Sequence, residues 1–350
     1  MNATLKIPIL NIYYLLCYAW NKLEERDIVD VKDEDCKNLV DLFAKVLVEG
    51  LNHLFKRGLD RGYVTYTEDS RCLRGKICFA PSVKRNLLVK AQIHCEYDEL
   101  NHNVLHNQIL KTTIRSLIHA HDIDRSIKND LIGLYRRLHK IESIQLNHSV
   151  FSRVQLHQNN AFYDFLLKIC ELIYNNLLVS EDPGKSKFRD FLQDKKAMAR
   201  LFEEFVRNFY KTEAPSYRVD REYISWDVTF VDEISALHLP RMETDISIEQ
   251  EGSKMVIETK FSEKTLVAKR EGMEKIYSGH LYQLFAYLKN LEVRGGIHRD
   301  CSGLLLCPTV DKDVRLNYMM QGHKVMVRTI NLNQHWKLIH NDLMDILECM

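Results

Sequence analysis

The chain is short of the residues that break structure: 6 prolines and 13 glycines in 350 residues leave little room for flexible linkers. It also lacks a long apolar run. The longest near the start, Ile7 to Trp20, is interrupted by Pro8, Asn11 and several tyrosines. A membrane span needs about 20 apolar residues, and no small-residue cleavage site follows, so this stretch reads as a buried segment and not as an anchor or signal peptide. Nine cysteines are present, an odd number, and no two are spaced as CxxC. With no His pair to complete a zinc pattern, free and mostly buried thiols in a reducing cytoplasm are expected. Charge of one sign is missing too. Lys plus Arg number 49 against 48 Asp plus Glu, a net of +1, so any nucleic-acid binding must come from a local basic patch. Repeats and low-complexity stretches are absent. The remainder, 45% hydrophobic and 28% charged, is ordinary globular composition, and the length suggests two domains.

Periodicity predicts a mixed α/β chain. Leu39, Leu42, Phe43, Val46 and Leu47 form a helical stripe, as do Ile12, Leu15, Leu16 and Ala19. From Tyr63 to about Tyr97 short strand-like runs broken by Gly75 and Pro81 indicate a small, loop-rich β region. Helices are expected over 103–117, 126–138, 161–178 and 197–210, with a loop over 147–158 and a turn cluster over 180–186. Candidate strands follow at 224–231, 243–249, 254–261, 301–307 and 324–331, with helices at 276–289 and 335–348. A domain boundary is expected near residue 160, dividing a helical domain with a small β region (1–160) from an α/β layer domain (161–350).

The chemistry concentrates in 240–261. Two strand-like runs flank Glu251-Gly252, where glycine tolerates a positive φ. With a two-residue loop, Gln250 pairs with Ser253 and Asp245 falls opposite Glu258; Glu258 and Lys260, two apart, then share its face. An odd loop would split them. Carboxylates facing each other destabilise a sheet unless something compensates. Mg²⁺ would do so, because it takes one or two carboxylates and keeps waters and a substrate phosphate oxygen, while Lys260 stabilises developing phosphate charge. The same D…ExK pattern also fits a solvated hairpin edge; the apolar neighbours Val256 and Ile257, and a helix carrying Gln283 and Tyr287 four apart, favour a site.

Asp245 with Glu258-Thr259-Lys260 resembles the PD-(D/E)xK nuclease motif, and Gln283 to Tyr287 resembles the QxxxY helix of part of that superfamily. Over nearly the whole chain, the segments Asn11 to Trp20, Arg74 to Ile77, Asp98 to Asn101 with Asn107 to Lys111, and Leu239 to Ile246 are similar to the McrC family, the nuclease subunit of modification-dependent McrBC restriction systems. The resemblance implies a C-terminal PD-(D/E)xK endonuclease domain that cuts double-stranded DNA. Asp245 and Glu258 would be Mg²⁺ ligands, Lys260 the catalytic lysine and Gln283 an auxiliary residue. Many members of the superfamily also carry a glutamate in the helix before the first strand; Glu203 and Glu204 are the candidates here, and the spacing does not choose between them. The resemblance also implies an N-terminal domain that engages and stimulates an McrB-like AAA+ GTPase hexamer reading 5-methylcytosine-type marks, GTP being bound by that partner; no Walker A loop occurs in this chain. Cutting both strands calls for two active sites, hence a possible second copy.

Other features are less pointed. Arg71, Arg74, Lys76, Lys84 and Arg85 make the β region basic, fit for phosphates or an acidic partner surface. Lys264, Lys269, Arg270 and Lys275 are candidates for DNA phosphate contacts. His102 and His106, four apart without a third ligand, read as helix-surface residues. The competing functions are a non-catalytic activator of the GTPase, against which the intact trio argues, and a stand-alone recombination-repair nuclease needing Mg²⁺ alone.

Overall fold

The structure, a computed structural model, describes residues 7–23, 36, 38–120, 122–156, 160–179, 186–188, 194–229, 233–261, 266–268, 274–310 and 313–350. Most of the turn cluster at 180–186 and the residues Lys264, Lys269 and Arg270 lie outside the described residues. Two compact units do not follow chain order: Met1–Leu23 with Asp190–Met350, and Glu24–Arg189. The single boundary expected near 160 is therefore replaced by crossings near 23 and 190. The reason is side-chain packing. The helix at 161–176 buries its face within the inserted unit, whereas the first helix buries its face in the C-terminal one.

That first helix, α1 (Ile9–Ala19), begins after Pro8 and buries eight of its residues. In the inserted unit, α2 (Leu39–Arg57) starts where the Asn38 side chain accepts the Asp41 N–H at 2.8 Å. An antiparallel pair, β1 (Gly62–Ser70) and β3 (Ile93–Asn101), runs in register from Gly62 opposite Asn101 to Ser70 opposite Ile93. The two-residue β2 (Lys76–Ile77) adds to β3, and a short helix, α3 (Phe79–Lys84), follows it. Helices α4 (Leu105–Ile118), α5 (Arg125–Arg137), α6 (His148–Ser152) and α7 (Ala161–Asn176) complete the unit's helical part. The α6 turn replaces the loop expected there. Its start is set by Asn147, whose side chain accepts the Val150 N–H at 3.0 Å. Gly50 of α2 lies so close to α7 that a Cβ would meet Leu166 at 2.5 Å. His106 is buried, 3.1 Å from Asp60, and His102 precedes α4, so the two histidines do not share a helix surface. A hairpin of β4 (Leu177–Val179) and β5 (Ser186–Phe188) ends the unit.

The other unit continues with α8 (Lys195–Glu213), whose Phe202, Phe205 and Phe209 are buried. Then come β6 (Arg218–Asp220), β7 (Tyr223–Ile224), α9 (Glu233–His238), β8 (Met242–Glu243), β9 (Ile246–Gln250), β10 (Ser253–Thr259), β11 (Leu266–Ala268), β12 (Glu274–Ile276), α10 (Ser278–Glu292), β13 (Ser302–Thr309), β14 (Arg315–Met320), β15 (His323–Asn331) and α11 (Trp336–Leu347). Six strands form one sheet in the order β14-β15-β13-β10-β9-β6. Its centre, β10-β13-β15, is parallel, and both flanks are antiparallel. The central strands read as continuous apolar runs, as sheets covered on both faces do. Leu284, Leu288 and Leu291 of α10 pack with Val256, Leu305, Val325 and Val327. Mixed α/β architecture is thus as expected. The strand expected over 224–231 is reduced to Tyr223–Ile224, and β14 was missed because the alternation of Leu316, Tyr318 and Met320 is short, is blurred by Met319 and lies on a mostly exposed edge.

Asn11 anchors α1 by donating to the carbonyls of Leu332 and Gln334 at 2.8 and 2.7 Å. Tyr14 stacks on Trp336 at 4.6 Å, and Tyr18 donates to Glu213 at 2.6 Å. Asn11→Ala is expected to lower stability by about 2 kcal/mol, since it orphans both acceptors. Urea denaturation should show a lower midpoint; an unmoved midpoint would put α1 outside the cooperative unit.

Candidate active site

The β9–β10 hairpin has the even loop the site requires. Gln250 lies opposite Ser253, pairing continues to Ile246 opposite Ile257, and Gly252 sits at φ 80°. The ladder stops there, and the next residues on the two strands are Asp245 and Glu258. Asp245 reaches across instead of pairing: its Oδ2 accepts the backbone N–H and the hydroxyl of Thr259, both at 2.8 Å. Glu258 shares its strand face with Val256, toward α10. Its Oε1 receives Lys260 Nζ at 2.5 Å, and Lys260 also donates to Gln283 Oε1 at 3.1 Å. Gln283 Nε2 donates to the Tyr287 hydroxyl at 2.7 Å, which donates in turn to the Glu243 carbonyl at 2.9 Å. One chain of hydrogen bonds therefore joins β10, α10 and β8. Asp245, Glu258, Lys260 and Gln283 are brought to one place.

Electrostatics set Glu258 apart. It is 1% exposed, and its Oε2 is buried with no hydrogen-bond partner. Burial first, then the charge of Asp245, raises its pKa to about 7, with Lys260 opposing. Asp245 is raised as well, by burial, with the two Thr259 donors opposing. The charge of Glu203 on α8 raises both carboxylates further, so of the two glutamates left open it is the one brought near the site. It is held by Arg207 Nη1 at 2.9 Å and by Arg221 through Nε at 3.0 Å and through Nη2. His280, one turn before Gln283, has its pKa lowered by burial and by the charge of Lys260.

Among the described residues no group of three or more His, Cys, Asp or Glu is placed to hold an ion. One buried carboxylate, Glu258, with an unpartnered oxygen and one half-buried carboxylate, Asp245, do not suit zinc, which takes three or four protein ligands. They do suit Mg²⁺, which binds through one or two carboxylates and fills its remaining positions with water and phosphate.

Residues 11–301 match the family model described as McrBC 5-methylcytosine restriction system component. The chain is 34% identical over 342 residues to the Type IV methyl-directed restriction enzyme EcoKMcrBC of Escherichia coli (strain K12), covering 98% of this chain and 97% of that protein. It shares the fold of a chain in the half-complex from the tetradecameric assembly of Thermococcus gammatolerans McrB AAA+ hexamers with bound McrC. There the TM-score is 0.59 at 17% identity, over 98% of this chain and 76% of that one. The chain belongs to the McrC family.

In this McrC-family chain the site holds groups that sequence reasoning missed. Thr259 stands between the two motif residues, yet its role needs only a backbone N–H and a hydroxyl, which no spacing marks. Arg207 had a usable signal, an i, i+4 partner of opposite charge on the same helix as Glu203. Arg221 had none, because it reaches Glu203 from another element. Lys275 is exposed on β12. No described helix is long and apolar enough to cross a membrane.

Proposed function

We propose that this chain is the DNA-cutting subunit of a modification-dependent restriction system of the 5-methylcytosine type, a Mg²⁺-dependent PD-(D/E)xK endonuclease that works in the cytoplasm with an McrB-like AAA+ GTPase hexamer. The observation that carries the reading is the buried Glu258 carboxylate, one oxygen paired with Lys260 and the other without a partner, beside Asp245. Asp245 and Glu258 would hold the ion. When bound, it would supply Lewis-acid polarisation of the phosphate and lower the pKa of the attacking water.

The chain's own residues do the rest. Thr259 fixes Asp245 in one orientation through two donors. Lys260, held between Glu258 and Gln283, presents its ammonium to the position where negative charge builds on the phosphate oxygens. Gln283 and Tyr287 are positioning residues that tie Lys260 to the β8 backbone. The unit 24–189 is assigned to the GTPase partner, which would bind GTP, and two copies of the chain would serve the two DNA strands. The test is cleavage of a methylated plasmid in the presence of Mg²⁺, GTP and the partner. Cutting should need all three. Cutting with Mg²⁺ alone would favour the stand-alone nuclease, and GTPase stimulation with no cutting would favour the activator.

A further inference from the structure

Beside the acidic site lies a groove of about 460 Å³ whose lining includes Tyr223, Ile224, Trp226, Pro240, Arg241 and Met242. Two short pairings build it: Tyr223 opposite Glu243 and Ile224 opposite Met242. Beyond β7 the Trp226 indole donates to the Pro240 carbonyl at 2.6 Å, and the Asp227 N–H donates to Asn290 at 2.7 Å. The chain is thus held out of the sheet where a longer strand was expected. Ile224 and Met242 are buried and form a floor, while Tyr223 is 60% and Trp226 37% exposed. Trp226 has spent its only donor on the protein, so its open surface offers a ring and nothing polar. Arg241 places its guanidinium 5.7 Å from the Tyr223 ring. Met242 stands three residues before Asp245, at most about 11 Å along the backbone, and the Glu243 carbonyl between them receives Tyr287.

Two exposed aromatic rings and an arginine, next to carboxylates placed for phosphodiester chemistry, are the components of a base-stacking platform. A nucleotide brings a flat base for the rings and a phosphate for Arg241. We propose that this groove takes an unstacked nucleobase of the DNA strand next to the phosphate that is cut. The proposal rests on the nuclease reading above.

The test uses the full-length chain and a short single-stranded oligodeoxynucleotide, followed by fluorescence anisotropy and by tryptophan quenching. Trp226→Ala should weaken binding by about 5- to 150-fold, the range of one lost base stack. An oligonucleotide with an abasic position at the stacked base should lose affinity for the wild type but not further for the variant. Trp226→Phe should keep affinity within a few-fold and lose the quenching, which also decides the matter if the alanine variant fails to fold. Unchanged affinity in Trp226→Ala, or quenching that persists in Trp226→Phe, would overturn the proposal. So would loss of GTPase stimulation at unchanged oligonucleotide affinity, which would give the groove to the protein partner. Wild-type protein that binds and quenches yet never cuts a methylated plasmid would sink the nuclease reading and leave the groove standing.

Discussion

Lys260→Ala is expected to lower DNA cleavage by about 10²- to 10³-fold, the cost of removing one group that stabilises transition-state charge, while stimulation of the partner GTPase persists. The ammonium is held 2.5 Å from Glu258 and 3.1 Å from Gln283, so it stands in a fixed place before any phosphate arrives. Lys260→Arg should rescue little, because the planar guanidinium cannot occupy the point between those two acceptors in the same way. Gln283→Ala should have a smaller effect, since Glu258 still holds the ammonium. Cleavage and GTPase rates measured on the same preparations decide it. If stimulation disappears along with cutting in a folded Lys260→Ala protein, the two units do not divide the labour as proposed.

Glu258→Gln is expected to abolish cutting and, without metal, to make the protein more stable at alkaline pH. In the folded state the Glu258 carboxyl titrates near 7, well above its ordinary value of 4.5, chiefly because it is buried and secondly because of Asp245. The sign follows from which state binds the proton more tightly. Here the folded state does, so the contribution to stability is fully present below about pH 4.5 and is lost as pH rises through about 7. The full span corresponds to about 3 kcal/mol, and Asp245, also raised, adds in the same direction. In EDTA the wild type should therefore melt lower at pH 8 than at pH 5, and Glu258→Gln should recover about 5–10 °C of that loss at pH 8. Added Mg²⁺ should raise the wild-type melting temperature at pH 8 and leave the variant's unchanged. A wild-type melting temperature that is flat from pH 5 to 8 in EDTA would mean that Glu258 carries no buried-charge penalty, and the case for a metal between the carboxylates would fall with it.

Much of this site was legible before any coordinates. The parity of the Glu251-Gly252 loop is a local property, and it alone decides whether Asp245 and Glu258 meet. Gln283 and Tyr287 were legible for a similar reason, since four residues is one helical turn. Choosing Glu203 over Glu204 was not a local matter. The two side chains leave α8 about 100° apart, and only the packing of Phe202, Phe205 and Phe209 against the rest of the unit fixes which one points to the strands. Arg221 and the groove at Trp226 depend on where separate segments come to rest, and periodicity holds no information about that. The domain division failed for the same reason. The stripe on α1 announced a buried face without saying which element would cover it.

The placement of α1 has a consequence during synthesis. Its aromatic partners come late: Phe205 and Phe209 lie near 200, and Trp336 close to the C-terminus. At about 5–20 residues per second, Tyr14 and Tyr18 leave the ribosome roughly 20–60 s before Trp336 exists to receive them. Throughout that interval the nascent chain carries a sticky helix with an entire unit growing behind it. Chaperone capture, or association with a neighbouring nascent chain on the same message, would be concentrated at this first helix.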